Sequence, residues 1–430
     1  MGTNLASRLA PHRVTTAQLC AAYPFQAESG LGSRGAVVGQ DLYGGGSFCL
    51  DPFELYPHVV TSPNMVVAGV IGSGKSAWTK TYLWRQLVFG RRAFVVDVKE
   101  GDGGRGEYAR LAEAAGSRPV RLERGGPARL NPLDARIARG ADRGRVFRDQ
   151  LKVLTAVTGA ALRRDLQPAE TAACRLALES VIRADEQRQP TLLRVAEAML
   201  RPDPAAAASV AADPDRLREL SYAAALELGN LCEGELAGMF DGETTEGIDL
   251  DQPLTVLDLS QMREGGDAAL GILMVCAAAW YQRSLIGDPG QRRVMVMDEA
   301  WHVLSELAIA RWAQAQWKLA RSLGVQNILI IHRLTDLEAA GKQGSEQVKI
   351  ALGLLSDSET QVVFRQSSAE LRLMRDLLRL SQSETDLVEM LLPHIALVRL
   401  GQQRRFLVEH RLAPGPWERW IVDTDGRMTA

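Results

Sequence analysis

Cysteine is scarce in this 430-residue chain, and the five present (Cys20, Cys49, Cys174, Cys232 and Cys276) are scattered. An odd number without metal or redox spacing excludes a disulfide framework and a zinc site, and leaves small core residues of a reducing compartment. Charge of one sign is not in excess either: 50 Lys and Arg face 52 Asp and Glu, a formal net charge of −2. Without a global basic field the chain is not drawn onto nucleic acid or anionic lipid, and any DNA contact must come from a local patch. No apolar run approaches the roughly 18 residues that span a bilayer. The longest, from Leu270 to Trp280, is expected as a buried helix. A signal-peptide apolar region is missing, and Ala6 stands where a myristoylation motif requires Ser or Thr. The expected location is the cytoplasm.

What is present is a soluble globular composition, 46% hydrophobic and 24% charged. The length exceeds one ordinary core, which implies two domains or one domain with a large insertion. The decisive stretch is Gly69-Val70-Ile71-Gly72-Ser73-Gly74-Lys75-Ser76, a full G-x-x-x-x-G-K-[ST] motif. It follows the apolar run Met65–Ala68 and precedes a helical pattern reaching about Phe89, so a buried strand ends in a glycine-rich turn at a helix N-terminus. Backbone N–H groups there surround a polyphosphate, and the dipole favours its charge. Gly69, Gly72, Ser73, Gly74, Lys75, Ser76 and Ala77 are the candidate nucleotide-binding residues. Lys75 reaches the β- and γ-phosphates, and the Ser76 hydroxyl ligates Mg²⁺.

Residues 1–60 read as a loop-rich apron with two short strands, Ala36–Val38 and Ser47–Leu50, joined by Gly44-Gly45-Gly46. Beyond the P-loop helix, Ala93–Asp97 is an apolar strand ending in an acid. A glycine-rich loop, a helix near Tyr108–Ala115 and a strand at Pro119–Leu122 follow. From Asp134 to about Leu250 strand signals nearly vanish, and helices are expected at 143–157, 169–184, 191–200 and 214–230. Arg136, Arg139, Arg143, Arg145 and Arg148 are interleaved with Asp134, Asp142 and Asp149, the pattern of a solvated, salt-bridged face. The α/β pattern then resumes with strands at Thr255–Leu259, Val294–Asp298 and Asn327–Ile331, and helices near 267–285 and 301–322. Strands at Gln361–Phe364, Ile395–Leu400 and Arg405–Glu409 close the chain, the last two as a hairpin. The fold class expected is α/β: a RecA-like P-loop core with a mostly parallel sheet covered by helices, plus an inserted all-α domain. The division is 1–60, then 61–133 with 251–430 as the ATPase domain, and 134–250 as the insertion.

Val294-Met295-Val296-Met297-Asp298-Glu299 is the natural partner of the P-loop. Four apolar residues ending in two acids set carboxylates at the carboxyl edge of a buried strand, beside the P-loop crevice. Asp298 holds Mg²⁺ through water in this reading, and Glu299 orients and deprotonates the attacking water. Capping of the following helix is the bland use of the same acids. His332, after the strand at 327–331, is a candidate γ-phosphate sensor, with a packed histidine as the alternative.

These residues together resemble the hexameric motor ATPases of the HerA–FtsK superfamily, in particular the conjugal-transfer (TraC-type) ATPases of type IV secretion systems of actinobacterial elements. The resemblance rests on Phe48–Tyr56 with Pro63-Asn64, on Gly106-Glu107-Tyr108 and on Asn131-Pro132-Leu133-Asp134. Met239-Phe240-Asp241-Gly242, Asp298-Glu299-Ala300-Trp301 and Thr335-Asp336-Leu337 complete it. It implies ATP and Mg²⁺ as cofactors, ring assembly as a homo-oligomer of hexamer type, and partners among channel components. DNA is a candidate substrate, and membrane association is expected only through partners at the cytoplasmic face of the inner membrane. Two features depart from the family pattern. Lys99-Glu100-Gly101 replaces the usual Lys-Gly-Glu after the second strand, and His332 stands where the sensor is often glutamine. The alternatives are a DNA translocase or coupling protein of the same superfamily, and a structural ring subunit with negligible turnover. Arg365, after Val362–Phe364, is the candidate arginine finger acting on a neighbouring subunit. Arg333, beside His332, is the candidate acting in cis.

Overall fold

Short runs of Val, Ile, Leu and Met, bounded by glycines or acids, make strands buried on both faces. The computed structural model describes residues 30–135, 142–210, 212–234, 236–246, 248, 252–265, 267–285, 290–299, 307–331 and 346–423. Among these lie β1 (Ala36–Asp41), β2 (Ser47–Leu50), β3 (Met65–Ala68), β4 (Arg92–Asp97), β5 (Val120–Arg121) and β6 (Leu254–Asp258). They continue with β7 (Arg293–Met297), β8 (Val325–Ile331), β9 (Thr360–Val363), β10 (Ile395–Leu400) and β11 (Arg404–His410). All join one sheet in the order β2-β1-β11-β10-β9-β3-β8-β7-β4-β6-β5. Pairings from β9 through β5 are parallel, and β10, β11, β1 and β2 extend the sheet antiparallel. This is the α/β class expected from the sequence.

The period of two sorts each strand between two cores. Met65 and Val67 of β3 pack with Trp78, Tyr82 and Leu83 of the helix Lys75–Val88, on the face that also carries Ala93, Val95, Val294 and Val296. Val66 and Ala68 point the other way, into a cluster with Phe94, Val96, Met295 and Met297. There the Phe94 ring stacks on Tyr281 of the helix Asp267–Leu285, centroids 3.9 Å apart and 8° from parallel. Full burial of one such side chain is worth about 1.5–3 kcal/mol, which makes both faces of the central strands intolerant of charge.

Between β5 and β6 run the helices Arg143–Ala161, Pro168–Ala184, Leu192–Leu200, Pro204–Ala208 and Pro214–Glu233. Their apolar residues, among them Val153, Val157, Cys174, Leu178 and Leu228, are continuous with the Phe94 cluster. Residues Leu130–Asp134 fasten this stretch at its middle and beyond its last helix. Asn131 Nδ2 donates to Pro190 O (2.8 Å), its Oδ1 accepts from Leu133 N (2.9 Å), and Leu130 N donates to Met239 O (2.7 Å). Asp142 caps its helix by accepting from Arg145 N (3.0 Å), whereas Arg136 and Arg139 lie outside the described residues.

Helices not expected from the sequence are Pro52–Leu55, Pro204–Ala208, Glu346–Ser356, Ser368–Leu378, Gln382–Met390 and Pro416–Val422. Asp203 caps the helix Pro204–Ala208 by accepting from Ala205 N at 3.1 Å. Among the described residues no helix is long and apolar enough to cross a membrane. Leu270–Trp280 is the interior of a buried helix, as expected.

Candidate functional site

The sheet order puts β8 between the P-loop strand β3 and the acidic strand β7. In a parallel sheet the carboxyl ends of these strands share one edge, where α/β proteins bind ligands. The chain leaves β3 through Gly69, whose N–H donates to Ile331 O at the end of β8 (3.4 Å), while Val70 N donates to Arg365 O just past β9 (3.0 Å). The turn is therefore held on both flanks. Gly72 (φ +75°) and Gly74 (φ +109°) adopt left-handed backbone that L side chains rarely take. At Gly74 a Cβ would also meet His394 Nδ1 at 2.9 Å. The helix starts at Lys75, so its N-terminal N–H groups face the turn.

Lys75 is 3% exposed, and its ammonium donates to Gly69 O (2.6 Å) and Val70 O (2.8 Å). Burial, and after it the neighbouring charge of Lys99, lower its pKa to about 8, against the pull of Asp298, Glu299 and Glu107. Ser76 and Ala77 are half-buried in the first helical turn. Ser73 is buried, its hydroxyl donating to Val70 O at 2.7 Å.

Across β8, Asp298 is fully buried and follows β7 directly. Its Oδ1 accepts from Lys99 Nζ (3.0 Å) and from Glu299 N (2.9 Å). Glu299 has φ +53°, a left-handed backbone that costs a glutamate energy and persists where surroundings impose it. Lys99 reaches this pair because β4 lies beside β7, with Val96 opposite Met297. Its Nζ is 3.4 Å from Glu299 Oε1. Burial opposes the charge on Lys99, but the carboxylates of Asp298, Glu299 and Glu107 outweigh it and hold its pKa above the ordinary lysine value.

The next strand over adds a third acid. Asp97 is in register with Asp258 on β6, so Asp298, Asp97 and Asp258 stand side by side on one edge. Their charges are spread into backbone donors: Asp97 Oδ2 accepts from Tyr108 N (2.7 Å) and Asp258 Oδ2 from Gly106 N (2.9 Å). Burial pushes the Asp97 carboxyl well above its usual range, and Glu107, Asp258 and Asp298 add to it against the Tyr108 N–H. The Gly-Glu-Tyr segment is thereby pinned over the strand ends, and Glu107 pairs with Lys80 of the P-loop helix at 3.1 Å.

Gly69, Gly72, Ser73, Gly74, Lys75, Ser76, Ala77, Asp298 and Glu299 thus share one edge of the sheet. Arg365 is exposed beside the P-loop of its own chain. His332, Arg333, Thr335–Leu337, Ala300 and Trp301 lie outside the described residues. Sequence reasoning missed Lys99 and His394. The second sits at the start of β10 with φ +67°, and its N–H donates to Ser73 O at 2.9 Å. Glycine-lined backbone donors, a buried lysine, a helix-terminal hydroxyl and a buried carboxylate fit a nucleoside polyphosphate with Mg²⁺, a hard cation that takes oxygen ligands. Among the described residues no group of three His, Cys, Asp or Glu is arranged to hold a metal alone.

No family model and no curated protein sequence matches the chain. Solved structures do. VirB4 of Thermoanaerobacter pseudethanolicus superposes with a TM-score of 0.72 at 22% identity, over 91% of this chain and 100% of that one. The bacterial conjugative coupling protein TrwB, lacking its first 70 residues, gives 0.53 at 16% identity, over 84% of this chain and 92% of that one. TrwB in complex with ADP and Mg²⁺ gives 0.52 at 16% identity, over 83% and 88%. The chain has the RecA-like α/β fold of VirB4 and of the conjugative coupling protein TrwB.

Proposed function

We propose that this chain is an ATP-hydrolysing motor subunit of a conjugative or type IV secretion machine, working as a homo-hexamer on the cytoplasmic face of the inner membrane through channel partners. Residues 61–133 and 251–430 form its ATPase domain in this reading, with 134–250 as the helical insertion and 1–60 as an apron. The observation that carries it is the convergence of a complete P-loop with Asp298-Glu299 across one strand, in a chain that superposes on VirB4 over 91% of its length.

Lys75 exchanges its two carbonyl partners for the β- and γ-phosphate oxygens, and the P-loop N–H groups take the remaining charge. Ser76 and Asp298 hold Mg²⁺, which when bound neutralises charge developing on the transferred phosphoryl group. Glu299, at the mouth of the crevice, orients water in line and accepts its proton. His332 acts as a sensor of the γ-phosphate, and Arg365 and Arg333 are the arginines available to it.

Glu299→Gln should keep ATP binding and abolish steady-state turnover, while Lys75→Ala should lose affinity itself. Hydrolysis by Glu299→Gln at the wild-type rate in matched assays would remove Glu299 from the base role. The superposition on a coupling protein favours one second reading, a motor that threads DNA. Stimulation of the ATPase by DNA separates the two. A ring subunit with negligible turnover would show binding without hydrolysis already in the wild type.

A further inference from the structure

Lys99 has no place in the scheme above, yet it touches both acids that the scheme needs. Its Nζ lies 3.0 Å from Asp298 Oδ1 and 3.4 Å from Glu299 Oε1, with a side chain only 15% exposed. The backbone beneath it is fixed. Lys99 N donates to Asp97 Oδ1 at 3.2 Å, and Lys99 O accepts from Glu107 N at 3.0 Å. Any movement of the ammonium is therefore a swing of the side chain about its own torsions, with the main chain held in place. Beyond Lys99 the chain makes a closed turn, Gly101 N donating to Arg105 O at 2.7 Å, with Gly103 and Gly104 in left-handed backbone.

A lysine ammonium is a compact point charge on a flexible stem, and here it sits where two carboxylates converge. A divalent cation held by Asp298 has the same sign. Two like charges in contact with one buried carboxylate repel strongly in a low-dielectric site. The two therefore compete for the position between Asp298 and Glu299. We propose that Lys99 is a positioning residue that holds the cation place between Asp298 and Glu299, and that a divalent cation arriving with nucleotide displaces it. The inference rests on the nucleotide reading above and deepens it. Displacing Lys99 completes the metal position and, in the same event, releases the Glu299 carboxylate to engage water. A subunit that holds nucleotide without the cation then keeps its base tied.

The test is the Mg²⁺ dependence of binding of a fluorescent (methylanthraniloyl) ADP to the full chain, for wild type, Lys99→Met and Lys99→Arg. Removing the competing charge should lower the half-saturating Mg²⁺ concentration about ten-fold, within the usual range of coupling between two sites. Lys99→Arg, which keeps the charge, should stay near wild type. An unchanged or higher Mg²⁺ requirement in Lys99→Met would overturn the proposal, because a merely supporting lysine leaves the cation no easier to load. A second measurement needs no variant: acetylation footprinting of the wild type by mass spectrometry. Lys99 should be protected with ADP and chelator and become labelled with ADP and Mg²⁺. Equal labelling in both states would also overturn it. Failure of the wild type to bind the fluorescent nucleotide at any Mg²⁺ concentration would defeat the nucleotide reading and this inference with it. Sound binding without a shift defeats this inference alone.

Discussion

Lys80 lies in the middle of the P-loop helix with its side chain 0% exposed, and Glu107, at 9%, is its one salt-bridge partner among the described residues. The Nζ–Oε1 distance is 3.1 Å, and the ammonium also lies 5.4 Å from the Tyr108 ring centroid. At an effective dielectric near 20 the attraction at that distance is about 5 kcal/mol, against a desolvation cost of several kcal/mol for each ion. The pair is close to break-even as a whole, but each half is expensive alone. Glu107→Gln leaves Lys80 buried with only an amide oxygen and the Tyr108 ring, and should cost about 3–5 kcal/mol of unfolding free energy. Lys80→Met should cost less, because Glu107 also faces Lys75 and Lys99. The double variant Lys80→Met/Glu107→Gln should recover to within about 1–2 kcal/mol of wild type, since no buried charge is then left uncompensated. Urea titrations of the four proteins give the coupling energy directly. Additive losses, or a loss under about 1 kcal/mol in Glu107→Gln, would show that the Gly-Glu-Tyr segment is not clamped to the P-loop helix by this pair.

Two further expectations concern His410 and Arg365. His410 is 7% exposed against the Trp78 ring, and burial, then the charges of Arg85 and His394, lower its pKa to about 4. An unfolded histidine titrates near 6.5, so between pH 6.5 and 4 the unfolded chain takes a proton that the folded chain refuses. Stability should fall by up to about 3 kcal/mol across that window, and His410→Leu should flatten the dependence; an unchanged acid slope in urea titrations would refute it. The sequence expectation places Arg365 in trans; the bond from Val70 N to its carbonyl holds its backbone beside its own P-loop, and its side chain is exposed. Mixing Arg365→Ala with Lys75→Ala subunits should restore part of the ATPase activity, whereas no recovery in mixed rings confirmed by mass would move the finger to Arg333 or to no arginine at all.

The parallel core was legible because its strands are continuous apolar runs, and a strand of that kind has the same meaning in any context. Met65–Ala68 and Ile395–Leu400 are observed with the bounds read from the sequence. The P-loop was legible because its chemistry is local to eight residues. Lys99 and His394 were not, since each owes its role to a neighbour distant in sequence. Lys99 meets Asp298 only because β4 runs beside β7, and His394 meets Ser73 only because β10 runs beside β9. The missed helices are a different matter. Ser381 and Glu384 form a reciprocal capping box that the sequence displays openly, and Leu371, Met374 and Leu378 recur at helical spacing.

The bond from His394 N to Ser73 O has a mechanical side. His394 directly precedes β10, and β10 is laced to β11, β11 to β1, and β1 to β2 by antiparallel ladders. Hydrogen-bonded strands spaced about 4.8 Å apart resist sliding past one another. The antiparallel wing therefore behaves as a stiff plate latched at one corner to the loop after β3, with β2, its outermost strand among the described residues, about 14 Å beyond β10. Any shift of that loop would be felt at the β2 margin as rotation of the plate, with no need for a flexible hinge between them.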